Sequence, residues 1–401
     1  MRALLLLPLL LPLPCLAQVA ITTSGAGQYQ VNSNVFDLQP GFPLPGTEDY
    51  HHADQFYAYS GSFVMNDLWQ QQKFFTTLTA TEFEYDHFKQ LDHTEYRFDG
   101  GWNWILGPAL DGTLDVSRVR SMVAFTDVIQ SEIAIQTEQR ETAGIGFHFS
   151  PDWRVEGLAY RRDVDEPLPG EPNLQLSESF GQATLKYLGR AGVTSGLSAS
   201  YLVGDFTGSV GAGNPAYRQD NIGLVANYQV NGVSSFVGDV GFSRRTSSNG
   251  TDNISGTTGE LDYKNQITGK TAIELTLDRV INSYIVNTGS EFDSFATLKV
   301  NWQTTYKINV AAAYTWTLRD LPGQGDAPPG SNRVDHLQYS SLFIDYEALT
   351  WLSLRPYANI QSRRSNYIGA NFDSTVYGVN VIVRWQNQTA AQVPAPGGNN
   401  R

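Results

Sequence analysis

The chain has 401 residues, a net charge of −13, 12% aromatic residues, 37 glycines, 3 methionines and a mean hydropathy of −0.28. The acidic balance excludes a nucleic-acid partner, because phosphate binding needs a basic face. No stretch beyond residue 17 approaches the roughly 18 apolar residues of a membrane helix, whereas a polar average rich in Tyr, Phe and Trp suits a barrel with a lipid-facing side and a wet interior.

Residues 1–17 read as a cleaved secretory signal peptide. Met1-Arg2 is the positive start, Ala3 to Leu13 the apolar run, and Cys15-Leu16-Ala17 the small-residue site before Gln18. A membrane anchor is disfavoured by the short run and by Pro8, Pro12 and Pro14. Cys15 is the single cysteine and leaves with the leader, so disulfides, thiol catalysis and cysteine metal sites are excluded from the mature chain.

Alternation then recurs along the chain. Ile21 to Val31 supplies a first strand, and strands near 54–65 and 72–87 form the first complete hairpin. Over 94–104, Tyr96, Phe98, Trp102 and Trp104 alternate with Glu95, Arg97, Asp99 and Asn103, a period of two that sends the sets to opposite faces. The pattern returns in Ala296, Leu298, Val300 and Trp302 against Thr297, Lys299, Asn301 and Gln303. It continues in Ile308, Val310, Ala312, Tyr314 and Trp316, and in Tyr377, Val379, Val381, Val383 and Trp385.

Short turns alternate with long loops. The turns are Gly107-Pro108, Ser150-Pro151-Asp152, Gly189 to Gly192, Asn231-Gly232, Thr268-Gly269-Lys270, and links near Thr304-Thr305 and Glu347-Ala348. The loops include Asp165 to Gln175, Thr207 to Ala216, Ser247 to Asn253 and Leu321 to Arg333. This asymmetry predicts an all-β, antiparallel, up-and-down transmembrane barrel over 18–385, with short periplasmic turns and long external loops in the bacterial outer membrane. Counting hairpins back from a last strand at 373–385 gives about 18 strands, or 16 if the first strand or a weak hairpin fails. Residues 386–401 read as a polar, disordered tail.

Eight tryptophans fall at strand ends: Trp69, Trp102, Trp104, Trp153, Trp302, Trp316, Trp351 and Trp385. Amphipathic rings at headgroup level predict aromatic girdles. The six histidines (51, 52, 87, 93, 148 and 336) lack ligand spacing, and no nucleophile elbow or activated Ser–His pair is present. Gly208 to Gly213 lacks a P-loop Lys and reads as an external loop. The expectation is a chain that is not an enzyme and has no metal or other cofactor.

The face assignments point Glu95, Arg97, Asp99, Arg154, Glu156, Arg162, Glu274, Asp278, Lys299, Arg355 and Arg363 into the lumen. Two readings stay open for them: charges paired across strands to hold the barrel's shape, or a polar pathway that tunes what passes. Tyr160 and Tyr357 on the same face would offer stacking surfaces for sugar rings, although a one-residue slip in register would turn both to lipid.

Four segments carry a family resemblance. They are Leu91 to Pro108 (LDHTEYRFDGGWNWILGP), Asp111 to Arg118 followed by Ala124 to Asp127, and Ser150 to Asp163 (SPDWRVEGLAYRRD). Together they resemble the EpsL-type outer-membrane proteins of exosortase-associated exopolysaccharide operons, within the wider β-barrel porin group. Where that family has Asp-Asn-x-Phe near the start, this chain has Ser33-Asn34-Val35-Phe36. The resemblance implies export of an extracellular polysaccharide, with periplasmic and inner-membrane export proteins and outer-membrane lipids as partners, and supplies no catalytic residues. A general diffusion porin and a structural or adhesive surface barrel with a closed lumen remain as alternatives.

Overall fold

The computed structural model describes residues 19–125, 133–167, 173–189, 192–208, 216–248, 253–284, 289–321 and 332–387. The expected signal peptide, residues 388–401 of the expected tail and all of the Gly208–Gly213 run after Gly208 lie outside them.

Eighteen antiparallel strands form one closed sheet. The first six are β1 (Ala20–Asn32), β2 (Asp54–Trp69), β3 (Gln72–Tyr85), β4 (His93–Leu106), β5 (Leu110–Met122) and β6 (Ile135–Ser150). The next six are β7 (Trp153–Glu166), β8 (Leu174–Leu188), β9 (Val193–Thr207), β10 (Ala216–Asn231), β11 (Ser234–Ser247) and β12 (Ile254–Thr268). The last six are β13 (Thr271–Tyr284), β14 (Gly289–Gln303), β15 (Ile308–Leu321), β16 (Arg333–Leu349), β17 (Leu352–Ser365) and β18 (Phe372–Gln386). Each strand pairs with its sequence neighbours, and β1 closes on β18 from Thr22↔Gln386 to Asn32↔Val376. Closure leaves no open edge, which is the condition for a sheet to cross lipid. Strands of 13 to 17 residues are about 45–55 Å long at ~3.3 Å per residue. Tilted by roughly 40°, they clear an apolar band about 25 Å tall.

The barrel is inverted relative to a soluble protein. Ile222, Leu224, Leu197 and Phe242 are between 54% and 67% exposed, and all lie on the outward parity of their strands. In water a continuous apolar surface of this kind would drive association; in a bilayer it is the lipid contact. The opposite parity carries Gln, Asn, Ser, Thr and most of the charge.

Connections alternate in length. One end has links such as Gln70-Gln71, Pro151-Asp152 and Gly269-Lys270, together with both described chain ends; the other has the long loops, including residues 33–53. Four register shifts, at His148/Ser150, Gln229/Asn231, Gln266/Thr268 and Glu347/Leu349, all sit at the short-turn end. The last corrects the expected link at Glu347-Ala348: a bulge carries β16 on to Leu349, and the turn is Thr350-Trp351. The barrel runs one residue past the expected boundary at 385, because β18 ends at Gln386 and the Asn387 side chain is tied to β1, its Oδ1 accepting from Ile21 N at 3.3 Å.

Candidate functional site: the lumen and its mouth

Strand parity fixes the interior. On β14, Leu298 and Trp302 are exposed to the outside, which turns Thr297, Lys299 and Asn301 inward. By the same parity Glu95, Arg97 and Asp99 on β4 face the interior, opposite Trp102 and Trp104. Arg154, Glu156 and Arg162 do so on β7, Glu274 and Asp278 on β13, and Arg355 and Arg363 on β17. Tyr160 and Tyr357 are also interior.

The structure gathers some of these into chains of charge and leaves others apart. Arg154 holds Asp111 through two bonds of 2.6 Å and Glu156 through one of 2.8 Å, and Lys186 Nζ reaches Glu156 at 2.7 Å. Arg162 bridges Glu138 at 2.9 Å and Glu178 at 3.1 Å. Arg97 pairs with Asp99 at 2.6 Å and Arg355 with Asp345 at 2.5 Å. Arg363, almost fully buried, donates to Ala370 O at the loop end. Glu95 accepts from Met122 N at 2.8 Å and lies 3.3 Å from His93.

Asp278 stands differently. Asp239, Glu260 and Asp278 are direct cross-strand partners on β11, β12 and β13, and among the described residues none has an ion-pair partner. Three carboxylates in one row make a local negative field on the lumen wall.

Two hairpins lean into the loop-side mouth. β12 and β13 stay paired only as far as Gly259↔Arg279, whereas β13 and β14 continue to Tyr284↔Gly289. The freed end reaches interior side chains of other strands: Ser283 Oγ lies 2.7 Å from Tyr217 Oη on β10. Tyr217 in turn donates to Glu178. Arg245 of β11, only 2% exposed, pins this hairpin. Its Nη1 donates to Asn282 O and Ser283 Oγ at 3.0 Å, its Nη2 to Ile281 O at 3.2 Å, and its Nε to Gln219 at 2.9 Å. Ile281 and Phe292, on the hairpin's outward parity, pack on interior Ile254 instead of meeting lipid.

The second hairpin is β5–β6. β5 leaves β4 beyond Tyr96↔Arg120 yet stays with β6 to Met122↔Ile135. Beyond it Phe125 packs on Phe36, with ring centroids 4.9 Å apart. Phe36 belongs to a small apolar core in the mouth, built by Val35, Leu38 and Leu44 of the first loop with Phe88, Leu91 and interior Phe56 and Tyr85. Asn34 anchors that loop through Leu38 O at 2.8 Å and Asp373 O at 3.1 Å. The sequence pattern did not signal this core or the hairpins, because the loop residues have no period and Ile281 and Phe292 keep a lipid-facing one. Asp111, Lys186, Glu178 and Arg245 were missed as well; only the Asn231-Gly232 turn, which sets the register of β11, bears on Arg245.

The tryptophans segregate. Trp69, Trp102, Trp104, Trp153, Trp302 and Trp385 face outward near the short-turn end, and Trp351 lies in a turn there. Trp316, on the loop-side half of β15, is the exception, beside His336 at 6.3 Å. The indole girdle is therefore one-sided; outward Tyr29, Tyr57, Tyr59 and Tyr377 stand nearer the loop end. Among the described residues no three metal-capable side chains gather, although the His51 and His87 rings meet at 5.1 Å.

No protein-family model and no curated protein matches the chain. Among solved structures it is similar to the FrpB iron transporter of Neisseria meningitidis (TM-score 0.51, 8% identity), covering 87% of this chain and 62% of that one. It is also similar to OpdK of Pseudomonas aeruginosa, solved with vanillate (TM-score 0.48, 11% identity, 91% and 99% covered). A third is the siderophore receptor PirA of the same organism (TM-score 0.46, 9% identity, 91% and 80% covered). At these identities the likeness is one of fold. With the closed eighteen-stranded sheet, the apolar outer belt and the polar interior, it makes this chain an outer-membrane β-barrel of a Gram-negative bacterium.

Proposed function

We propose that this barrel is the outer-membrane conduit for an extracellular polysaccharide, or an accessory to it, and that it acts without catalysis of its own. The observation that carries the reading is the interior surface. Tyr160 stacks on Phe180 at 4.7 Å with Arg140 4.0 Å above the Tyr160 ring. Tyr357 sits between Gln28 and Gln30, each at 2.5 Å. Aromatic rings, amides and a guanidinium on the lumen wall present a polyhydroxylated chain with apolar surface and exchangeable hydrogen bonds, the faces of Tyr160 itself being taken by Phe180 and Arg140. The resemblance of the Leu91–Pro108 and Ser150–Asp163 segments to exopolysaccharide-operon proteins supports the same reading. Periplasmic and inner-membrane export proteins would then meet the short-turn end. Deleting the gene and assaying polymer outside the cell and in the periplasm tests this: loss outside with accumulation inside is expected, and unchanged polymer overturns it.

A general diffusion porin is the second reading, and the unpaired row Asp239–Glu260–Asp278 favours it, since a wall of carboxylates selects small cations with no regard to polymer. Bilayer conductance with cation preference and little solute discrimination is its signature.

A further inference from the structure

One concavity in the lumen wall is not used by the charge chains. It lies between β10 and β16 toward the short-turn end and holds about 520 Å³, within the range of small-ligand pockets, about 300–1,000 Å³. Register shows how it arises. Lys264, Glu274, Lys299 and Ala313 are successive cross-strand partners; in the next interior row toward the short turns stand Gln266, Ala272, Asn301, Ala311 and Phe343. Ala272, Ala311 and Ala313 are interior positions filled by methyl groups where neighbours carry long side chains, so the wall is hollow there. Phe343 closes the far side.

The polar groups are unevenly committed. Lys264 pairs with Glu274 at 3.2 Å. Lys299, also beside Glu274 in register, makes no ion pair or side-chain hydrogen bond among the described residues, and neither does Asn301. Gln266 spends its amide donor on Thr268 O at 2.7 Å, which leaves its carbonyl oxygen as an acceptor. The hollow thus combines a methyl and phenyl floor, amide groups and one uncompensated cation.

We infer that this hollow is a subsite for a sugar ring bearing a carboxylate, a uronic-acid residue. The apolar face of the ring lies on the alanines and Phe343, its hydroxyls meet Asn301 and Gln266, and its carboxylate meets Lys299. An aromatic acid would satisfy the floor and the lysine and leave the amides unmatched, which disfavours it. The inference deepens the polysaccharide reading and rests on it for the source of the ligand.

The test is calorimetric titration of the purified full-length mature barrel in detergent with trigalacturonate, maltotriose and vanillate. Trigalacturonate is expected to bind more tightly than either of the others. Lys299→Gln should weaken it by about tenfold, the loss of one charge-assisted contact, with maltotriose unaffected. Asn301→Ala should weaken both sugars and leave vanillate unchanged. Equal binding of the acidic and neutral sugars, tighter binding of vanillate, no binding of trigalacturonate, or an unchanged Lys299→Gln variant would overturn the subsite. The deletion assay separates the two ideas. Failed titration with polymer lost from the deletion strain sinks the subsite alone, and selective uronate binding with polymer unchanged sinks the conduit alone.

Discussion

Arg154 reaches Asp111 across an intervening strand because the residue between them is glycine. Asp111 on β5 is the cross-strand partner of Gly146 on β6, and Gly146 that of Glu156 on β7. A Cβ at position 146 would stand 1.9 Å from Arg154 Nη2, so the guanidinium occupies the space a side chain would need. The bidentate pair staples three strands at the lumen wall.

Gly146→Ala is therefore expected to displace Arg154 and release Asp111. Asp111 is 35% exposed at its side chain, so water screens the pair and the loss is about 1 kcal/mol or less. Asp111→Asn should cost a similar amount. The double variant should cost no more than either single one, because both remove the same contact. Urea unfolding in lipid vesicles measures this, and fully additive losses would show that Gly146 acts through backbone packing instead.

The Arg245 latch makes a larger prediction. Arg245→Ala removes donors from Ile281 O, Asn282 O and Ser283 Oγ at once. Hydrogen bonds from a charged group are each worth about 1.5–3 kcal/mol, and the variant should lose roughly 2–3 kcal/mol, since water reaches part of the freed backbone. The β13–β14 hairpin, left with the Ser283–Tyr217 contact and the packing of Ile281 and Phe292 on Ile254, should then loosen from the mouth and raise single-channel conductance. Unchanged conductance in a folded variant, checked by heat-modifiable migration in SDS gels, would mean that the hairpin does not narrow the path.

Much of this architecture was legible locally, and the gaps have physical causes. β4, β14, β15 and β18 stand out because bulky apolar residues such as Trp102, Leu298, Tyr314 and Val381 alternate with polar ones. β9 is quieter: small Ser195 and Ala199 face outward, so hydrophobic contrast is weak and turn spacing has to place the strand. The inward hairpins were illegible because Ile281 and Phe292 obey the same period as lipid-facing residues. Their burial depends on where β12 stops pairing with β13. The Arg154–Asp111 bond joins strands that are not neighbours, so no single-strand pattern could disclose it. The tryptophans near the turns were readable as interface residues, yet their concentration at one end follows from the direction in which each strand runs.

The carboxylate row gives a prediction for permeation. Asp239, Glu260 and Asp278 form adjacent negative steps on one wall. Replacing all three with Asn or Gln should move the reversal potential in a salt gradient toward anion preference. Each single replacement should give a smaller shift in the same direction. A reversal potential unmoved by the triple variant would place the ion path along another part of the wall.

Register itself can be tested at β10, where neighbouring residues should behave oppositely. Leu224 is 57% exposed on the outer face, while Val225 takes the interior parity beside Gly196 and Asp239. Both lie near mid-height. Leu224→Arg places a guanidinium in hydrocarbon and is expected to destabilise by about 2–4 kcal/mol, the depth-dependent cost at the bilayer midplane. Val225→Arg places the same group on the polar interior face next to Asp239, whose carboxylate attracts it. It should be near neutral in stability and should weaken cation preference. Refolding into vesicles and urea titration of both variants compares them directly. Equal penalties would mean that the interior at this height is closed to water, and a reversed order would mean that β10 is shifted by one residue.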